Sequence, residues 1–304
     1  MREQGPTARA TVGGTRRGPV GLPPPRLSRG GYVTAAVLPG ARAWWAVAAA
    51  SARAQVTYRA TVAASVLSNV TLTVLRGYLA LAVWTARPGL AGYDPARAVT
   101  FVVLGQALTT TFAVFGGMID VPWRVESGAI VVDLARPFGF LRWWLAREIG
   151  RAAVFAVSRA VPAGLVGAAL FGVRPPGSAG AALGFAVSLP LALLAGFGIR
   201  YLVALTAFWI TDVRGALAVS SLALMFFSGA VLPLTIFPGT FGAVARLLPF
   251  AAVVQVPMDI YLRPRGGAGI GTQLAFQAAW VAVLLAASHL ATSRALRRLV
   301  VQGG

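Results

Sequence analysis

AALGFAVSLPLALLAGFGIRYLVALTAFWI, Ala181 to Ile210, carries one charge, Arg200, in thirty residues. About 20 apolar residues cross the hydrocarbon of a bilayer, so this stretch can span it and tilt. Five further windows read the same way, at about 60–85, 98–119, 152–173, 216–236 and 271–292. The expected fold is an all-α integral membrane protein with six transmembrane helices.

The composition agrees. Of 304 residues, 57% are hydrophobic and only 12% charged, whereas a soluble domain carries about 25% charged residues. The formal charge of +19 rests entirely on arginine, because the chain has no lysine. These arginines lie mostly in loops between apolar runs. A nucleic-acid reader would cluster them on one soluble face, so no nucleic-acid partner is expected. A Walker A loop needs a lysine to reach the phosphates. If nucleotide drives this protein, another polypeptide hydrolyses it. There are no cysteines, which excludes disulfides, thiolate metal sites and cysteine nucleophiles.

The N-terminal region differs from the rest. Residues 1–40 are rich in Gly, Pro, Thr and Arg without helical periodicity, and are expected to be a disordered basic tail. Neither the Arg16–Arg17 pair nor the apolar run Ala43–Ala54 has the flanks of an export signal. Residues 41–59, with Trp44 and Trp45 and with Arg42 and Arg53 on one helical face, read as a helix lying on the membrane surface. Residues 41–304 then form one six-span domain.

Arginine placement orients the spans. With the N-terminus inside, the inner segments hold 18 arginines and the outer loops six. Both termini are expected on the cytoplasmic side of the plasma membrane. Two segments stand apart from the spans. The inner loop 120–151 mixes Arg, Trp and acids with apolar residues, as suits surface helices docked on another protein. The outer segment 232–265 is apolar but broken by Pro233, Pro238, Pro249 and Pro257. It is too interrupted for one spanning helix and reads as a re-entrant hairpin before the last span.

Charges at membrane depth are the candidate functional residues. Arg76, Arg159 and Arg200 fall within spans, while every acid falls in a loop, the tail or near a span end. No carboxylate is therefore expected at the depth of Arg200, and Arg76 and Arg200 are candidates to line a path and meet an anionic group. Snorkelling is the competing reading, and Arg159 can reach lipid phosphate. Asp212 and Arg214 suit a capped turn or a second partner contact. His289, the lone histidine, suits a structural hydrogen bond. GGAGIG, Gly266 to Gly271, lacks the strand and lysine of a phosphate loop and reads as a connector. Gly116, Gly117, Gly196 and Gly198 suit close helix packing. No catalytic triad or metal-ligand set can be assembled, so no enzyme activity is expected.

Six strings carry a family resemblance: YRAT near Tyr58, SGAIVVDLARPF from Ser127, AFWITDVRG from Ala207, FFSGAVLPLTIFP from Phe226, LPFAAVVQVP from Leu248 and VQGG from Val301. In this order and spacing, with six spans and a proline-broken hairpin, the chain resembles a type-2 ABC transporter permease of the exporter type. The resemblance implies a half-transporter. Two permease subunits, the same chain or a related one, would form the path. Two ATPase subunits would carry ATP and Mg, leaving this chain without a cofactor. The inner loop would be the coupling element, with Glu126, Asp133 and Arg136 as surface contacts. A stand-alone secondary transporter is the main alternative, but it usually carries membrane acids for ion coupling. An integral-membrane enzyme would need ligands or nucleophiles at depth.

Overall fold

The computed structural model describes residues 40–114, 119–134, 136, 138–263 and 269–299. The expected tail at 1–39, Gly116, Gly117, the first half of GGAGIG and the terminal VQGG lie outside them. The described residues form helices and no strand: α1 Ala41–Val56, α2 Arg59–Ala86, α3 Pro95–Thr111, α4 Val121–Glu126, α5 Ile130–Leu134, α6 Phe140–Phe155, α7 Val161–Phe171, α8 Ala179–Leu205, α9 Arg214–Phe227, α10 Gly239–Leu247, α11 Gln255–Leu262 and α12 Ile270–Leu299. A π-helical turn, Ala156–Ala160, joins α6 to α7.

Helix ends follow local chemistry. Asp94 caps α3 by accepting from the Arg97 amide at 2.9 Å, with Pro95 at the first helical position. Ser178 caps α8 through the Ala181 amide at 3.1 Å. Asp212 accepts from the Arg214 amide at 2.9 Å, forming a local turn just ahead of α9. α7 stops at Gly172, whose φ of 66° is open to glycine but strained for other residues.

Small residues let the long helices approach. A Cβ on Gly198 of α8 would sit 2.8 Å from the Leu284 Cβ of α12, whereas one on Gly196 would make ordinary contact with Val253. A Cβ on Gly167 of α7 would lie 2.6 Å from Val103 of α3. On Gly150 of α6 it would overlap the carbonyl oxygen of Ala48, so α1 lies against α6 almost backbone to backbone. Ser51 Oγ donates to the Arg147 carbonyl at 2.7 Å and Trp44 Nε1 to that of Arg142 at 3.3 Å, fastening the same pair. The largest core cluster, with Phe101, Val103, Ile199, Leu224, Met258 and Leu284, joins α3, α8, α9, α11 and α12.

Four helices are long and apolar enough to cross a membrane: Arg59–Ala86, Phe140–Phe171, Ala179–Phe208 and Ile270–Arg298. They match four of the six expected windows. The other two windows hold shorter helices, α3 with 17 residues and α9 with 14. The expected inner loop 120–151 needs correction. Its second part is α6, so the loop ends at Gly139 and the helix expected at 152–173 begins at Phe140. The run RWWLAREIGR has the charge density of a loop. Within the structure Glu148 pairs with Arg151 and with Arg200 of α8, and Arg147 pairs with Asp120, which allows a helix. The segment expected on the outer side, described from Leu232 to Arg263, is broken into two short α-helices, α10 and α11, and two 3-10 turns, Leu234–Ile236 and Pro249–Ala252. Pro238 precedes α10 and Pro249 opens a turn, as their missing amide hydrogens require.

Candidate functional site

Two constructions concentrate the unusual chemistry. The first is the connection between α3 and α6. Asp133 of α5 is buried, its side chain wholly covered. Arg124 Nη1 of α4 stands 2.9 Å from one of its oxygens and Arg136 Nη2 stands 3.4 Å from the other. These contacts are ionic, since neither oxygen accepts a hydrogen bond of sound geometry. Arg136 also lies over the Trp143 ring, 4.0 Å from its centre. One buried carboxylate thus ties α4, α5 and the start of α6 together. Outside this knot, Trp123, Val131 and Val132 are each more than 60% exposed, and Glu126 is exposed beside them. The expectation that Asp133 is a surface contact is overturned. It holds the two arginines, and the surface belongs to Glu126, Trp123, Val131 and Val132.

The second is a polar cavity of about 580 Å3 between α1, α2, α3 and α6. Arg147, Arg151, Phe155 and Arg159 line it at intervals of four residues, which places them on one helix face. Ser51 and Gln55 come from α1, Asn69 from α2, and Gln106, Thr109 and Thr110 from α3. Thr110 Oγ1 donates to Asn69 Oδ1 at 2.6 Å, and Gln106 Nε2 approaches both at 3.4 Å. Arg147 pairs with Asp120 at 3.1 Å on the rim. Arg159 lies 3.6 Å over the Phe155 ring.

The two predicted path residues flank this cavity. Arg76 donates to Gln106 Oε1 at 2.7 Å and to the Ala230 carbonyl at 3.2 Å, so it bridges α2, α3 and the segment after α9. Arg200 is buried on α8 and contradicts the expectation for it. A carboxylate does stand at its depth: its Nη2 pairs with Glu148 of α6. Its Nε also donates to the Gly196 carbonyl at 3.1 Å. Arg151 closes on the same carboxylate in a fork, at 2.5 and 2.9 Å. Linear position hid the pair, because Glu148 was counted with a loop and lies 52 residues from Arg200. The arginine stripe, in contrast, was written in the chain as R-x3-R-x3-F-x3-R from Arg147 and needed only a helix to be seen. His289 is exposed on α12, its carbonyl accepting from Ser293. No group of three or more His, Cys, Asp or Glu able to hold a metal occurs among the described residues.

The family can now be fixed. A family model described as ABC-2 family transporter protein matches residues 69–303. The chain belongs to the ABC-2 transporter family. The match begins within α2 and runs to the last residues, so it takes in the α3–α6 connection, the polar face of α6 and the proline-broken segment. This ABC-2 permease is a multi-pass membrane protein. No curated protein and no solved structure matches the chain.

Proposed function

We propose that this chain is the membrane subunit of an ABC exporter and takes its energy from a separate ATPase subunit carrying ATP and Mg. The supporting observation is the α4–α5 platform. It is a short, ion-tied structure with an exposed apolar surface and a flanking charge, in a chain that has no lysine for a nucleotide site of its own. Tryptophan is enriched at protein-binding hot spots, and the exposed valines beside Trp123 extend the apolar surface around it. In this reading Trp123, Val131, Val132 and Glu126 meet the ATPase, while Asp133 and Arg136 hold the platform in shape.

The finer architecture belongs to the same proposal. α3 and α9 complete six spans, α1 lies at the cytoplasmic interface, the segment from Leu232 to Arg265 re-enters from the outer side, and both termini are cytoplasmic in the plasma membrane. A second permease subunit, identical or related, completes the path, and Arg76 is the candidate to face it. Arg200 serves by fixing α6 to α8 through Glu148. Cargo direction follows the exporter resemblance of the quoted strings.

The test is co-expression with an ABC ATPase subunit. The permease should show no ATP hydrolysis alone, co-purify with the ATPase and lose it on Trp123→Ala. ATP hydrolysis by the purified chain alone, or an unchanged complex in that variant, would overturn the reading. Because the chain has no cysteine, single cysteines at Trp123 and Phe241 would report sidedness by impermeant labelling, with label expected inside and outside respectively.

A further inference from the structure

We propose that the cavity between α1, α2, α3 and α6 binds a phosphate-bearing anion, with Arg151 and Arg159 as its ligands. Every acid lining the cavity is already engaged: Glu148 by Arg151 and Arg200, Asp120 by Arg147. Arg159 makes no ion pair among the described residues, and its Nε is buried without a hydrogen-bond acceptor. Arg151 Nη1 is buried without one as well. Three arginines and two carboxylates line the cavity, and Arg159 is the one of the three with no carboxylate partner among the described residues, so an anion held at this wall would balance its charge. The planar fork of arginine suits phosphate oxygens, and the hydroxyl of Thr110 and amide of Gln55 add neutral polar groups at the wall.

Depth favours a headgroup. The helix from Phe140 to Phe171 is 32 residues long, or about 48 Å at 1.5 Å per residue. About 20 residues cross the hydrocarbon. Counted back from Phe171, that length ends beside Arg151. Arg151 therefore stands near the level of lipid phosphates, and Arg159 two turns deeper. On α2, Leu67, Leu72 and Leu75 are exposed and offer an apolar flank for acyl chains. The shared chemistry is the phosphate group. It can come from a phospholipid headgroup or from soluble phosphate.

The experiment uses the full chain purified in a neutral detergent. Phosphatidylglycerol binding is read by native mass spectrometry, and inorganic phosphate binding by the shift in melting temperature. Binding of the lipid, weakened at least tenfold by Arg159→Gln and partly restored by Arg159→Lys, would establish the headgroup source, a loss of the size expected for one charged hydrogen bond. A phosphate-induced rise in melting temperature with no retained lipid, abolished by Arg159→Gln, would establish the soluble source. Arg294→Gln, exposed on α12, should leave either result unchanged. If Arg294→Gln weakens binding as much as Arg159→Gln, the lipid is a general surface ligand and the proposal fails. Should Arg159→Gln not fold, an experimental structure of the wild-type chain in phosphatidylglycerol nanodiscs decides. Density against Arg159 supports the site, and a clear cavity with neither lipid nor phosphate overturns it.

Discussion

The α4–α5 pair and α11 are both short helical elements between longer helices, yet they spend their apolar residues in opposite ways. In the first, Trp123, Val131 and Val132 face outward and a carboxylate is buried beneath them. In the second, α11 turns Val256, Pro257, Met258 and Ile260 inward. Its polar side chains are buried as well: Gln255 accepts from the Leu234 amide at 2.9 Å and donates to Asp259 at 2.8 Å. Tyr93 OH approaches the same Asp259 oxygen at 3.4 Å. A segment that buries its apolar face is complete within its own chain. One that exposes it while holding its shape by ion pairs leaves that face open to contact with another surface.

The comparison can be broken most severely at Asp133. Replacing it with Ala would leave Arg124 and Arg136 without their shared carboxylate and loosen the platform by about 3 kcal/mol, the usual effect of removing one partner from a buried pair. The expected result is loss of the ATPase complex with membrane insertion intact, read by co-purification and by protease sensitivity of the connection. If Asp133→Ala keeps a protease-resistant connection, the ion-tied platform does not exist.

The segment from Leu232 to Arg263 gives the next largest effect, with opposite sign. Burial raises the Asp259 carboxyl to about 6, against the lowering influence of the Gln255 and Tyr93 hydrogen bonds. A carboxyl whose folded value lies above its unfolded value of about 3.9 stabilises the fold most at low pH. That stability is lost as pH rises through about 6. Asp259→Asn keeps an oxygen acceptor and removes the buried charge, so it should gain on the order of 2 kcal/mol above pH 7. Melting curves between pH 4 and 8 should be steeper for the wild type than for the variant. Equal slopes would mean that Asp259 is solvated and that the segment is not a closed interior.

Smaller effects sharpen the contrast at the platform surface. Trp123→Ala should weaken the ATPase complex about tenfold or more while leaving the melting temperature unchanged, as expected for an exposed hot-spot aromatic. A fall in melting temperature without loss of binding would place Trp123 in structure rather than recognition. Glu126→Gln, at the margin of the same surface, should change affinity by less than about threefold, with the effect vanishing at high salt, because exposed charges are screened. A large salt-independent loss would move Glu126 to the centre of the contact.

Much of this was legible in the chain. Apolar length located the four long helices, since a window rich in Ala, Val and Leu cannot be satisfied elsewhere. Pro238 and Pro249 marked breaks because proline lacks the amide hydrogen a helix needs. The six family strings placed the connection that the α4–α5 platform occupies. What failed was the reading of charge. RWWLAREIGR reads as a loop from its mix of arginine, tryptophan and acid with apolar residues, and Asp133 as a surface contact from the family resemblance. Neither reading shows which charges pair, while the structure settles them in groups: Glu148 with Arg151 and Arg200, and Asp133 with Arg124 and Arg136.

The sequence by itself determined that this chain is a helical membrane protein, that it lacks the residue needed to bind nucleotide phosphates through a Walker A loop, and that it has the order of segments of an ABC-2 permease. These properties depend on composition and local spacing, which are fixed along the chain. Only the tertiary structure decided which arginines are paired, which short helices face outward, and where a polar cavity opens. An ion pair such as Glu148–Arg200 spans 52 positions, and no local pattern encodes it. It forms because helix packing brings α6 and α8 together, and a buried guanidinium is stable at that place only when the carboxylate arrives with it.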